Sequence, residues 1–385
     1  MYKALTSEEL EKRITYSKKE DPFFTDLRQR VNDYFSRTGY SRQDDPRMYR
    51  KTIVQVSMWV IIYACMLSNF FYGWGLFFLQ IGLHFTLFLM SVGIAHDGSH
   101  NSYSQRPWLN KLMYRCFDFI GINSNMWEYN HNLSHHFVPN IPRYDSAIDS
   151  FGLFRFHPRA AYHRVHRFQH LYIFGIYALA TLFKILFLDF FSFSRKQIGM
   201  VRIKKHTLRE VLYLVVTKIG VVAYSLVIPI LVIDVPAWQV VCGFLAGHFV
   251  SGIALGVIFQ VTHLSDHSVF VEPDAEGIVH NSFPRHIMAT TADFATQNKV
   301  VTWISGGLNI HVAHHLFPRI SQVHLPELAK IVKQAAADHH VPYKEYPSVW
   351  AALKSHLRML KKLGSKEDFD NSDWPVNKTS VVPAF

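Results

Sequence analysis

The sequence is poor in cysteine. Cys65, Cys116 and Cys242 stand far apart, form no paired metal-type motif and offer no disulfide framework. It has no apolar leader: residues 1–50 are highly charged, so no secretory signal is expected. It has no internal repeat of solenoid length. Two stretches have no charge at all. No Lys, Arg, Asp or Glu occurs from Ile53 to Tyr72 or from Leu76 to Ala95, and each run holds about 20 residues, the length a bilayer core requires. Acidic residues are the minority, 29 against 40 basic ones, for a net charge of +11. The Lys and Arg residues flank apolar segments instead of forming one patch. The excess therefore reads as the basic bias of cytoplasmic loops, and no nucleic-acid partner is expected.

What is abundant agrees with a membrane protein. Half of the residues are hydrophobic, with 31 Phe among them. The apolar residues concentrate in 53–94, 170–193 and 209–264. The pattern predicts an all-α integral membrane protein with four spans in two hairpins, at about 53–72, 76–95, 209–233 and 236–262. Gly73-Trp74-Gly75 turns the first hairpin and Asp234-Val235-Pro236 the second. Residues 170–193 are long enough to span but contain Lys184 and Asp189. The basic stretch 194–206 after them belongs on the cytoplasmic side. Residues 1–50 read as a cytosolic lead, 51–340 as the membrane domain, and 341–385 as a cytosolic helix and tail. Amphipathic helices are expected near 107–121, 324–338 and 351–363.

The 23 histidines are unevenly spread. Three clusters stand out: His96 and His100; His131, His135 and His136; His311, His314 and His315. Each spacing puts two or three imidazoles on one helical face. Imidazole is the commonest protein metal ligand. Eight such rings exceed one four-coordinate ion and suit two metal ions sharing a site. His263, at the end of the last predicted span, is a ninth candidate. All three clusters must then share one membrane face. That requires two crossings between the second and third clusters, so 170–193 is expected to lie in the interface or insert only partly. The architecture expected is four spans, interfacial helices and a cytosolic helical cap over a di-metal site. Solitary histidines, among them His84, His248, His267, His280 and His286, read as ordinary surface or core residues. His248 and Lys218 are singled out further because they lie inside predicted spans.

The set of clusters resembles the three histidine boxes of the integral-membrane fatty acid desaturases. The stretch Gly306-Gly-Leu-Asn-Ile-His-Val-Ala-His-His-Leu-Phe-Pro318 is similar to the third-box region of the front-end and linoleoyl-CoA-type branch. Box order and separations agree over roughly residues 50–340. The resemblance implies a non-haem di-iron centre held by His96, His100, His131, His135, His136, His311, His314 and His315, with His263 matching an extra family ligand. It implies an enzyme that uses O2 and two electrons to introduce a cis double bond into an acyl-CoA or acyl-lipid. No catalytic side chain beyond the metal ligands is expected. Asp97, Glu128, Asp145 and Asp266 are candidates to orient the ligand rings. Two departures stand out. His311 occupies a position where the front-end branch commonly has Gln. No His-Pro-Gly-Gly haem motif of a fused cytochrome b5 occurs, so a separate ferredoxin or cytochrome b5 is the expected donor. Rival readings are a di-iron hydroxylase, alkane monooxygenase or carotenoid ketolase, and, outside enzymes of this kind, a membrane haem protein or metal transporter.

Overall fold

The computed structural model describes residues 14–148 and 152–365. The tail beyond residue 365 and most of the expected lead before residue 14 lie outside the described residues. The chain is mostly helical. Among the described residues, five helices are long and apolar enough to cross a membrane: Pro46–Leu67, Trp74–Ser99, Arg164–Ser194, Leu208–Val232 and Ala237–His263. Ile53, Ile61, Leu171, Phe187, Val216 and Leu231 project outward from them, each at least half exposed. An outward apolar face suits lipid and is what a membrane protein requires.

Local chemistry sets the helix limits. Pro46 occupies the first turn and the Asp45 side chain caps Arg47 N. The helix therefore begins before the uncharged run. It ends at Leu67, because Asn69 and Gly73 adopt positive φ in the turn that follows. Three of the long helices contain a π segment: Ser91–Ala95, Lys184–Leu188 and Ala223–Val227. Such widened turns re-aim the side chains that follow them.

Helix Ala237–His263 is the central strut. It packs on Trp74–Ser99 along one side and Arg164–Ser194 along another. Small residues permit the approach. A Cβ on Gly247 would lie 2.6 Å from His84 Nδ1, and one on Gly256 would press into the Tyr177 ring. Lys184, Asp189 and Lys218, which lie inside two of the apolar helices, are paired with one another. Asp189 is fully buried and meets Lys184 at 2.6 Å, Lys218 at 2.5 Å and the Asn123 amide at 2.7 Å. The two charges that interrupt the apolar run 170–193 thus form part of one network.

A polar cap covers the end of the bundle where residues 96 and 263 emerge. Helix Pro22–Thr38 buries Phe23, Leu27, Val31 and Phe35 against Leu325–Asp338. The short helix His311–Leu316 packs against Leu325–Asp338 in the same apolar cluster. Two parallel strand pairs tie distant segments together, Thr15–Tyr16 with Ile278–Val279 and Asp293–Phe294 with Glu345–Tyr346. The C-terminal helix Val349–Leu363 docks beside the start of Arg164–Ser194, where Gln169 donates to the Leu360 carbonyl.

Candidate metal centre

Each histidine cluster sits on a helix end that the fold turns toward the same point. His96 lies in the last turn of helix Trp74–Ser99, just after its π segment, and His100 follows at the C-cap. The second cluster lies on a π helix, Glu128–His135, closed by the i to i+5 bond from His136 N to His131 O. His263 is the last residue of its helix. His311, His314 and His315 lie on one short α-helix.

The structure brings all nine expected residues together and sorts them into two groups. One comprises His96, His100, His131, His136 and His314; the other comprises His135, His263, His311 and His315. Within each group the ligand nitrogens lie within 4.8 Å of one another, and every residue is buried. Neighbours in sequence part company. His135 and His136 enter different groups, as do His314 and His315. Helical geometry explains this. The i to i+5 turn brings the His131 and His136 rings edge to face at 4.6 Å, whereas the His135 ring meets His263 at 4.5 Å. In the third cluster His311 and His315, one turn apart, both meet the His263 ring, while His314 meets His136 and His96. The His136 and His315 rings stack at 4.2 Å and join the groups.

The nitrogen contacts test whether a metal fits. His135 Nδ1 lies 3.1 Å from Asp145 Oδ1, and His263 Nδ1 lies 3.3 Å from the Thr290 carbonyl. Both partners accept, so Nδ1 carries the hydrogen in each ring and a neutral ring presents a bare lone pair at Nε2. Those two Nε2 atoms are 3.1 Å apart. His263 Nε2 is also 3.2 Å from His315 Nε2. Facing lone pairs repel unless a cation sits between them. Two nitrogens bound to one ion at about 2.1 Å and near a right angle would show this spacing. The five-histidine group repeats the spacing: His131 Nε2 lies 3.1 Å from both His96 Nε2 and His136 Nε2. His100 Nε2 and both ring nitrogens of His311 have no hydrogen-bond partner. Burial, reinforced by neighbouring imidazoles, holds His131, His136, His311, His314 and His315 well below the usual histidine range. Neutral rings are the form a metal needs.

Of the four carboxylates expected to orient rings, Asp145 does so directly. The backbone N–H of Asn140 in turn donates to Asp145 at 2.9 Å, while the Asn140 side chain donates to the His263 carbonyl. Asp97 ties the first cluster to the segment after the third, accepting from Ser321 Oγ and Gln322 N. Asp266 binds Arg358 and Tyr346 and anchors the C-terminal helix. Glu128 opens the π helix. Asn309 braces a turn: its side chain donates to the Phe294 and Ala295 carbonyls. Sequence reasoning missed Asp293. This fully buried carboxylate accepts from Val312 N at 2.8 Å and from Tyr343 Oη at 2.5 Å, so it caps the helix of the third cluster from a distant strand. Nothing in its local spacing marks that role.

The fatty acid desaturase family model matches residues 73–347. The chain is 32% identical over 358 residues to the sn-1 linoleoyl-lipid 6-desaturase of Synechocystis, covering 91% of this chain and 98% of that protein. It is 30% identical to the acyl-lipid (8-3)-desaturase of Physcomitrium patens, covering 90% of this chain and 72% of the relative. The sn-1 linoleoyl-lipid 6-desaturase of Arthrospira platensis is 31% identical, with 89% and 92% covered.

Proposed function

This chain belongs to the fatty acid desaturase family, and from that premise we propose that its two histidine groups hold two iron ions serving a front-end type of acyl-lipid desaturation. The observation that carries the reading is the set of Nε2 atoms facing one another at 3.1 to 3.2 Å in both groups. The ligands proposed are His96, His100, His131, His136 and His314 for one ion and His135, His263, His311 and His315 for the other. Two irons bound there supply the O2 chemistry that, with two electrons, removes two hydrogens from the acyl chain. The protein's own residues hold the rings and keep water out. Asp145 and the Thr290 carbonyl fix the tautomers of His135 and His263. Phe259 and Trp127 pack on the His131 ring from the bundle side, where an apolar chain would approach.

The topology proposed has four crossings, with the histidine clusters and both termini on the cytoplasmic face. Helix Arg164–Ser194 does not cross in this arrangement. In support, both of its ends meet the histidine side: Gln169 bonds to the C-terminal helix, and Gly199, just beyond its other end, packs on Ser134 and Tyr144 beside the second cluster. The basic segment 194–206 then faces the cytoplasm. Residues 51–340 form the desaturase body, flanked by a cytosolic N-terminal segment to residue 50 and a C-terminal one from 341. The electron donor proposed is a separate ferredoxin or cytochrome b5. The relatives' names favour an acyl-lipid over an acyl-CoA.

Expression of the full chain in a host with a defined acyl-lipid pool tests the reading. Mass spectrometry of the lipids should show a chain two hydrogens lighter. A product gaining one oxygen would make the enzyme a hydroxylase and overturn it.

A further inference from the structure

A second pair of histidines lies deep in the bundle, on the two helices that carry His96 and His263. His84 and His248 are 3% and 5% exposed, and their ring centroids are 4.4 Å apart. With Ser251 they line a cavity of about 40 Å³ whose other walls include Phe88, Ile122 and Leu255. Their hydrogen bonding is incomplete. His84 Nδ1 lies 2.9 Å from the Gln80 carbonyl, so Nδ1 donates. His248 Nδ1 lies 3.0 Å from Thr181 Oγ1, whose own hydrogen goes to the His248 carbonyl, so Nδ1 donates there too. Each neutral ring then offers a bare Nε2 lone pair. Both Nε2 atoms and Ser251 Oγ are buried without a partner. Lys184, which also lines the cavity, is engaged by Asp189.

Two acceptors and one hydroxyl are what a single water satisfies. It donates to both Nε2 atoms and accepts from Ser251, the about three bonds usual for a buried water. A water needs roughly 10–15 Å³ of such a cavity, so there is room. The position gives the water a consequence. His84, Leu87 and Ser91 follow helical spacing toward the first cluster, and His248, Ser251 and Leu255 continue to Phe259, which packs on the His96 and His131 rings. His84 precedes His96 by twelve residues, about 18 Å at 1.5 Å per residue. A bilayer core of about 30 Å holds two acyl chains end to end, about 15 Å each. The cavity floor therefore lies one chain tail away from the metal centre.

We propose that His84, His248 and Ser251 hold a water that closes the far end of the acyl path and sets the longest chain accepted. The inference rests on the desaturase reading above. A chain with further methylenes would have to expel the water and leave two lone pairs and a hydroxyl unpaired in an apolar surround. Discrimination of this kind is worth about tenfold or more per methylene or polar contact.

The test expresses the full chain and its His84→Leu, His84→Gln and Ser251→Ala variants in one host fed acyl chains of two lengths. The readout is the ratio of longer to shorter unsaturated products. His84→Leu should raise it about tenfold, Ser251→Ala severalfold, and His84→Gln, which can still accept from the water, should stay near the parent. Ser251→Ala is small enough to keep the result decisive if His84→Leu fails to accumulate. An unchanged ratio in the variants that make product would overturn the proposal while leaving the desaturase reading intact. A parent chain that makes no unsaturated product would instead remove that reading. An experimental structure resolving waters should place one within hydrogen-bond distance of both Nε2 atoms, and a dry cavity would overturn the proposal independently of turnover.

Discussion

The same two helices carry histidines in two settings. At their ends, His96 and His263 join seven other rings, and nitrogens face nitrogens at 3.1 to 3.2 Å. Deeper in, each of His84 and His248 spends its Nδ1 hydrogen on a neighbouring oxygen and turns its Nε2 to a cavity shared with one serine, and their rings stand 4.4 Å apart between centroids. Both sets are buried and both present bare lone pairs. The difference lies in how many lone pairs converge and how closely. Four or five converging nitrogens call for a cation; two with a hydroxyl are satisfied by water. The local count of donors and acceptors, more than the residue type, decides what a buried histidine does.

The sharpest way to break this comparison is to remove one ring from the proposed metal centre. His136→Ala and His315→Ala should each abolish turnover and lower bound iron while the protein still inserts in the membrane. Retained double-bond formation in lipid analysis would remove the ligand assignment. A smaller effect is expected at Asp145, which holds the His135 ring by its Nδ1 hydrogen. Asp145→Asn should weaken metal binding about 10–100-fold in a chelator competition. Smaller again is the tie between the third cluster and the C-terminal strand. Asp293→Ala removes a buried cap and should cost about 1–2 kcal/mol of stability in thermal unfolding.

The last prediction concerns pH. His131, His136, His311, His314 and His315 titrate well below the usual value in the folded chain because they are buried. Below an unfolded-state value of about 6.5 the unfolded chain therefore binds more protons than the folded one, and stability falls as pH drops. Metal-stripped protein should lose melting temperature progressively from about pH 6.5 downward. A flat profile from neutral to acid would contradict the buried, neutral rings.

Much of the candidate metal centre was legible in sequence because its histidines come in clusters at helical spacing. Spacing alone marks the three boxes, and the end of the last apolar run marks His263. Their division into two groups carries no such mark. It depends on which partners each ring meets across the site, and adjacent histidines part in the π helix at 128–135 and in the α-helix at 311–316 alike, which no spacing rule announces. The uncharged runs marked the apolar helices, although Asp45 and Pro46 start the first one earlier than its hydropathy suggests. Asp293 and the cavity at His84 and His248 were invisible for a different reason. Each depends on pairing between segments distant in the chain, and a solitary histidine or aspartate carries no sign of its partner.

Metal analysis of the purified full chain tests the central claim most directly. Two irons per chain without haem absorbance are predicted, falling in the His136→Ala and His135→Ala variants, one from each group. A single ion per chain, a haem spectrum, or iron content unmoved by either substitution would contradict the account.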